Sequence, residues 1–328
     1  MIQLIILTVL LMNSEKKLNT FLNIWIGWSA LANLWAMKQV YLGLNNAEQQ
    51  WLNAGAFKTH LLFGKLRAFS FYSDAGQFGA AMAHMLLVCV ILGFGPYKFK
   101  QKVIYWGLGI FFMWGMAISG TRGALIIPLS GIMVYLLLSK NFKVLIIGIV
   151  TVGLLFSALK FTTIGSGNYD IQRMRSGLNP NDPSLLVRLE NQKKISAYLT
   201  NKPLGGGIGS AGYWGQRFSP GTFLAETPTD SWYVRIWAET GIIGLTIHLT
   251  VLFVFILTGL IAIFKMKYNI KNRQTAIALF AGFVGIALAS YGNQVLGQTP
   301  TSVMVFMSLG FIWLLYKWDI PLKNSTLP

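Results

Sequence analysis

Apolar runs long enough to cross a lipid bilayer recur along most of the chain and leave little choice of architecture. A membrane helix needs about 20 apolar residues. Such runs stand at roughly 20–37, 77–95, 103–119, 122–139, 142–160, 237–264, 275–293 and 300–317. Inside lipid a segment must satisfy its own backbone polar groups, so these runs become helices. Composition agrees, with 54% hydrophobic and only 11% charged residues, where soluble domains carry about 25% charged. The expected fold class is all-α: a polytopic transmembrane helical bundle of about eight spans plus a partial N-terminal one.

Residues 1–12 (MIQLIILTVLLM) are apolar but too short to span. They have neither the basic start nor the small-residue cleavage site of a signal peptide. They read as the end of a span whose beginning is missing, so the chain reads as shortened at its N-terminus. The stretch 103–139 is nearly all apolar. As one straight helix it would be about 55 Å long, against a hydrocarbon core of about 30 Å. It must turn, and Ser119-Gly120-Thr121-Arg122-Gly123 is its one polar place to do so, with Thr121 as the expected N-cap of the next helix.

Short basic loops set the direction. Lys16 and Lys17, Pro96–Lys102 (PYKFKQK), Lys140–Lys143 (KNFK) and Lys265–Arg273 (KMKYNIKNR) fall on one side when the spans alternate. That side is the cytoplasm by the positive-inside rule. Residues 38–76, the turn at 119–123, the loop at about 161–236 and the turn near 294–299 then face outward. The chain divides into N-terminal membrane helices (1–160), an extracytoplasmic loop with short helices (161–236) and C-terminal membrane helices (237–328). The net charge of +17 fits both this topology and an anionic ligand. Nucleic acid is a poor fit, since no basic stripe lies on a soluble fold. The single cysteine, Cys89, can form no internal disulfide.

Basic residues also gather on the outward side. Arg67 precedes a span. Arg122 opens one, where free backbone N–H groups and the helix dipole favour an anion. A guanidinium fork fits phosphate oxygens; snorkelling to lipid headgroups is the alternative for Arg122. The long loop adds Arg173, Arg175, Arg188, Lys193, Lys194, Lys202, Arg217 and Arg235, for most of which a solvated surface is the plain expectation. Residues 188–199 have helical spacing, with Leu189, Ile195 and Leu199 on or near one face.

Gly207-Ile208-Gly209-Ser210-Ala211-Gly212 matches G-x-G-x-x-G, but no strand precedes it and no βαβ unit surrounds it, so a dinucleotide site is rejected. Its glycines suit close backbone approach to lipid or sugar. Glu226 and Asp230 are the only carboxylates between Glu190 and Glu239. Asp230 suits either a helix N-cap or a general base for an acceptor hydroxyl, and Glu226 competes for the second role. Arg235 and Glu239 are spaced for a helix-surface ion pair. His84 and His248 have no second ligand at metal spacing. With no carboxylate cluster either, metal-independent chemistry without a cofactor is expected.

SGTRGA opening a span, then RLENQKKI, then KPLGGGIGSAG, then a polar residue before WYVRIWAETGIIGL, with RAFSFYSDAGQFGAAMA upstream, resembles the O-antigen ligase and polymerase family of bacterial membrane proteins. The resemblance covers roughly residues 65–260. It implies a metal-independent, inverting glycosyl transfer from undecaprenyl diphosphate to lipid A–core or to a growing polysaccharide. The setting would be the bacterial inner membrane, with the active site on the periplasmic side. The family's two diphosphate-holding arginines map onto Arg122 and Arg188, with Arg67 nearby. Its histidine-asparagine pair maps onto Asp230-Ser231, a departure that puts a carboxylate of ordinary pKa near 3.9 where histidine has about 6.5. Asp230, with Glu226 as its rival, is the expected catalytic group. Gly207, Gly209, Tyr213, Trp214 and Trp232 are expected to border sugar or acceptor. The implied partners are the lipid-linked glycan, its acceptor and membrane lipids, without nucleic acid. A flippase of lipid-linked oligosaccharide stays open, as does a non-catalytic scaffold of a polysaccharide assembly complex; no clear internal repeat of the transporter kind is visible.

Overall fold

The computed structural model describes residues 2–62, 64–139, 146, 150, 153, 157, 160–163, 167, 169–177, 179 and 181–319, with only the backbone of Tyr169, Asp170, Ile171 and Met174. The expected span at 142–160 lies largely outside the described residues. Helix α1 (Ile2–Leu11) is half a span long and packs on the last helix, where a side chain at Gly310 would meet Thr8. Helix α2 (Glu15–Tyr41) starts where the Ser14 hydroxyl accepts the Lys17 N–H. A surface strap follows: α3 (Asn46–Trp51), a π turn, α4 (Phe57–His60) and a minimal antiparallel hairpin of β1 (Leu61–Leu62) and β2 (Lys65–Leu66).

Helix α5 (Ala75–Gly93), capped by Asp74, and α6 (Phe99–Ile118) form the next pair. The chain then turns at Gly120, whose φ of +57° suits glycine. A 3-10 turn at Arg122–Leu125 leads into α7 (Ile126–Leu138). The turn falls where the sequence places it, but Thr121 does not cap with its side chain. Its hydroxyl donates to the Ala75 carbonyl instead, at 2.8 Å, and so ties the turn to the start of α5.

Past the incompletely described stretch come α8 (Tyr169–Ser176), α9 (Pro183–Leu199), α10 (Gly212–Phe218), α11 (Phe223–Glu226) and α12 (Trp232–Lys265). The span expected from 237 thus begins at 232 and is broken at Gly241, which has φ +65° and ψ −168°. Its first segment packs Val234 and Ala238 against Ile195, Leu199, Ala211 and Leu224 in a small core of its own. Leu189, expected on the same face of α9 as Ile195 and Leu199, is exposed. Helices α13 (Ile270–Ala289) and α14 (Thr301–Asp319) complete the bundle.

Among the described residues four helices, α5, α12, α13 and α14, are long and apolar enough to cross a membrane, and the chain is a multi-pass membrane protein. Without a hydrophobic force between helices in lipid, close packing depends on small residues. Gly282 of α13 leaves room for the His84 ring, and Gly285 lies against the backbone of Ile127. Helices α5 and α13 therefore sit at the centre, while α12 is the most peripheral of the four, with most of its apolar length unburied.

Two polar ends emerge. At one, Asp319 accepts the N–H groups of Lys267 and Asn269, Asn272 donates to Glu15, and Arg273 donates to the Leu138 carbonyl. This end carries Lys16, Lys17, Lys265, Lys267 and Lys271. The other end carries the Arg122 turn, the loop helices and the α13–α14 connection, and holds every expected site residue.

Candidate functional site

The site end is assembled around the Ser119–Gly123 turn. Arg67 donates to the carbonyls of Ser119 (3.0 Å) and Thr59 (2.9 Å) and to the Thr121 hydroxyl (3.1 Å). Arg173 donates to the Gly120 carbonyl at 2.6 Å, so this loop arginine is not the solvated surface residue expected from sequence. Both guanidiniums shape the turn that presents Arg122.

Arg122 reaches the loop. It donates to Ser176 (2.9 Å) and Ser184 (3.0 Å) and is paired with the carboxylate of Asp182. Asp182 is the N-cap of α9, with Pro183 in the first turn, so one carboxylate both starts α9 and binds it to Arg122. Burial opposes the Asp182 charge, but the Arg122 bond and charge, with the Leu185 and Ser184 N–H groups, outweigh it and hold the carboxyl below its ordinary range. Snorkelling to lipid therefore does not describe Arg122. Its anion site is built and is filled by a side chain of the same chain.

Arg188, farther along α9, faces Asp230 with Nε to Oδ2 at 3.7 Å, both side chains being more than a third exposed. That distance is an ion pair without a good hydrogen bond, and water screens it. Asp230 is held at φ +45°, an uncommon conformation that aspartate tolerates. It is not the N-cap: Ser231 is, accepting the Val234 N–H at 3.5 Å. Glu226 is exposed and turned back to the Gly221 N–H at 3.4 Å. Among the described residues, Asp230 is the one of the two that pairs with an arginine.

The connection between α13 and α14 joins these pieces. A methyl group on Gly123 would lie 2.6 Å from Nδ2 of Asn293, and one on Gly292 would lie 3.9 Å from Nη1 of Arg188. Neighbouring residues of one turn thus lie beside the Arg122 turn and Arg188. Gln294 accepts from Arg235 (3.2 Å) and donates to Thr229 (2.9 Å); Gln298 donates to Asp74 (3.0 Å). The Arg235–Glu239 pair expected from spacing is present at 2.9 Å. Sequence reasoning missed Asp182, Asn293, Gln294 and Gln298. Only Asp182 left a local signal, the Asp-Pro-Ser helix start.

The remaining expected contacts fall elsewhere. Trp232 lies over Gly297, donates to His248 at 3.2 Å and packs on the membrane core. It is a wedge between helices, against the α13–α14 connection. The close backbone approach expected of the glycine-rich loop is made to protein: Gly206 and Gly207 N–H donate to the carbonyls of Ala238 and Glu239, both at 2.9 Å, across the Gly241 break. Gly207 and Gly209 have positive φ; a Cβ on Gly207 would meet open space, and one on Gly209 would lie 3.9 Å from Cβ of Trp214. Tyr213 and Trp214 stand exposed on α10. A groove of about 450 Å³ runs between α9 and Trp237, lined also by Leu186, Leu189, Glu190, Gln192 and Lys193; neither Arg188 nor Asp230 lines it. Among the described residues no group of three His, Cys, Asp or Glu side chains could hold a metal ion.

A multi-pass helical membrane protein with a cationic polar site at one end of its bundle is the class these features define. Residues 107–249, from α6 through the Arg122 turn and the loop helices into α12, match the family model described as O-antigen ligase. Comparison with curated proteins and with solved structures finds no match.

Proposed function

We propose that this protein transfers a glycan from an undecaprenyl-diphosphate carrier to an acceptor hydroxyl, as an O-antigen ligase or a surface-polysaccharide polymerase. The bundle of eight spans would lie in the bacterial inner membrane with the Arg122 end on the periplasmic side. The gathering of short basic loops at the opposite end supports that orientation.

The observation that carries the reading is the pair of arginines flanking one turn, Arg122 through Gly123 and Asn293, Arg188 through Gly292. Each already faces a carboxylate, Asp182 or Asp230, and a diphosphate would take the place of Asp182 on Arg122. The two guanidiniums then stabilise the charge that develops as the glycosyl–phosphate bond breaks. Asp230 is the carboxylate placed to accept a hydrogen bond or proton from the acceptor, and Glu226 the less favoured one. Arg67 acts by shaping the turn. The chemistry is metal-independent and inverting, with water or Asp230 taking the proton.

Membranes containing Arg122→Ala or Arg188→Ala at matched protein level test this. Glycan transfer should fall about 100-fold or more for each. Near-normal transfer by stable variants would remove the cradle.

A further inference from the structure

The site leaves one apolar surface unused. Leu204, Ile208, Tyr213 and Phe218 are 70%, 89%, 64% and 69% exposed, and Trp214 is exposed beside them. Trp214 stacks on Phe218 with centroids 5.8 Å apart, and Tyr213 meets Trp214 edge-on at 5.1 Å. A group of large side chains this exposed marks an interaction surface.

Its position says which. The glycine-rich loop is fixed to the Gly241 break, and Ile243 N–H donates to the Pro203 carbonyl at 3.3 Å. Immediately past the break Ile242, Ile243 and Ile247 are exposed, on the most peripheral of the four long apolar helices. The patch therefore continues a lipid-facing surface at its polar end. Tyrosine and tryptophan are enriched at that depth. Arg217 lies 5.8 Å from the Trp214 ring and 5.4 Å from Phe218, so its stem covers apolar surface and its charge suits the phosphate layer.

We propose that the loop around Leu204 and Ile208, together with α10, is an in-plane membrane anchor. It is seated at the headgroup–acyl boundary of the leaflet at the site end, with Arg217 toward phospholipid phosphates. Tyr213 and Trp214 then hold lipid, not sugar. The anchor fixes the α9–α12 cluster, with Arg188 and Asp230, at headgroup depth. It rests on the membrane reading of α12 and not on glycosyl transfer.

Spin labels at Ile208→Cys and Phe218→Cys test it in the full chain in phospholipid nanodiscs. Ile247→Cys serves as the lipid-facing control and Asn181→Cys as the aqueous one; the fully buried Cys89 stays unlabelled. Both test positions should favour collisions with oxygen over a water-soluble nickel complex, as Ile247 does, at a depth of about 5–10 Å. A nickel-favoured pattern like that of Asn181 would overturn the proposal. So would shielding from both reagents, which would mean protein contact. The readout needs no transfer activity, so an inactive protein leaves the test intact.

Discussion

Gly241→Ala puts the link between the loop and the membrane helix under the most direct strain. Gly241 has φ +65° and ψ −168°, a region essentially restricted to glycine, where another residue costs about 1–3 kcal/mol. The added methyl would also overlap the Pro203 carbonyl and approach Gly205 N to 2.5 Å. Both are backbone atoms, so no rotamer change relieves the clash, and overpacking adds about 1–3 kcal/mol. Against this total of about 2–6 kcal/mol stand three backbone hydrogen bonds, from Gly206, Gly207 and Ile243, at about 0.5–1.5 kcal/mol each. The strain is of the same size as the hydrogen-bonded attachment, so the loop should loosen at the break while the bundle stays folded. Hydrogen exchange followed by mass spectrometry should show peptides over 203–210 exchanging about 30-fold faster or more, the effect of about 2 kcal/mol. Gly221→Ala is the control: its φ is +77° but nothing lies within 4 Å of an added Cβ, so exchange at 203–210 should not change. Unaltered exchange in Gly241→Ala would refute the docking argument.

Three further outcomes follow from the same contacts. Arg67→Ala should lower stability by about 2–4 kcal/mol through loss of its charged hydrogen bonds, and Arg67→Lys should not restore it, because an ammonium cannot span three separate acceptors; thermal unfolding of the purified protein reads both. Burial, reinforced by the Arg67 charge and opposed by Ala56 and Asp74, holds His60 below the usual histidine range, and its Nε2 accepts the Ala75 N–H at 3.1 Å. A folded pKa below the unfolded one gives stability that is full above about 6.5 and is lost as pH falls through the lower native value; the melting midpoint should therefore drop between pH 7 and pH 5, and less so in His60→Gln. Asp182→Asn keeps a capping side chain but frees Arg122 of its carboxylate, so the protein should bind undecaprenyl diphosphate more tightly than the natural chain does; weaker binding would show that Asp182 orders the site instead of competing for it.

Much of this fold is legible because lipid makes the rules strict. Length and apolarity alone place α5, α12, α13 and α14, and the one polar interruption in 103–139 is where the chain turns. The Arg235–Glu239 pair follows from helical spacing. What spacing cannot give is contact between distant segments. Gly241 reads as one glycine near the start of a span; only beside Pro203 and Gly205 does it become the hinge of the loop. Thr121 has the chemistry of a cap, yet Ala75 lies closer to its hydroxyl than the helix's own N–H groups do. The helix opening at Asp182 was readable, but its pairing with Arg122 was not, and the amides of Asn293, Gln294 and Gln298 resemble any polar turn until packing sets them between helices. Asp230 and Trp232 show the same limit: the cap lies one residue past Asp230, and the indole is used for helix packing.

The central claim is that Arg122 and Arg188 together hold a lipid-linked diphosphate. Equilibrium binding of undecaprenyl diphosphate to the purified chain in nanodiscs, with Arg122→Gln, Arg188→Gln and the control Lys202→Gln, tests it without requiring the acceptor. Each site variant should bind at least about 10-fold more weakly, the weight of one charged hydrogen bond, while Lys202→Gln matches the natural chain. Folded arginine variants that bind the lipid as tightly as the natural protein would contradict the account.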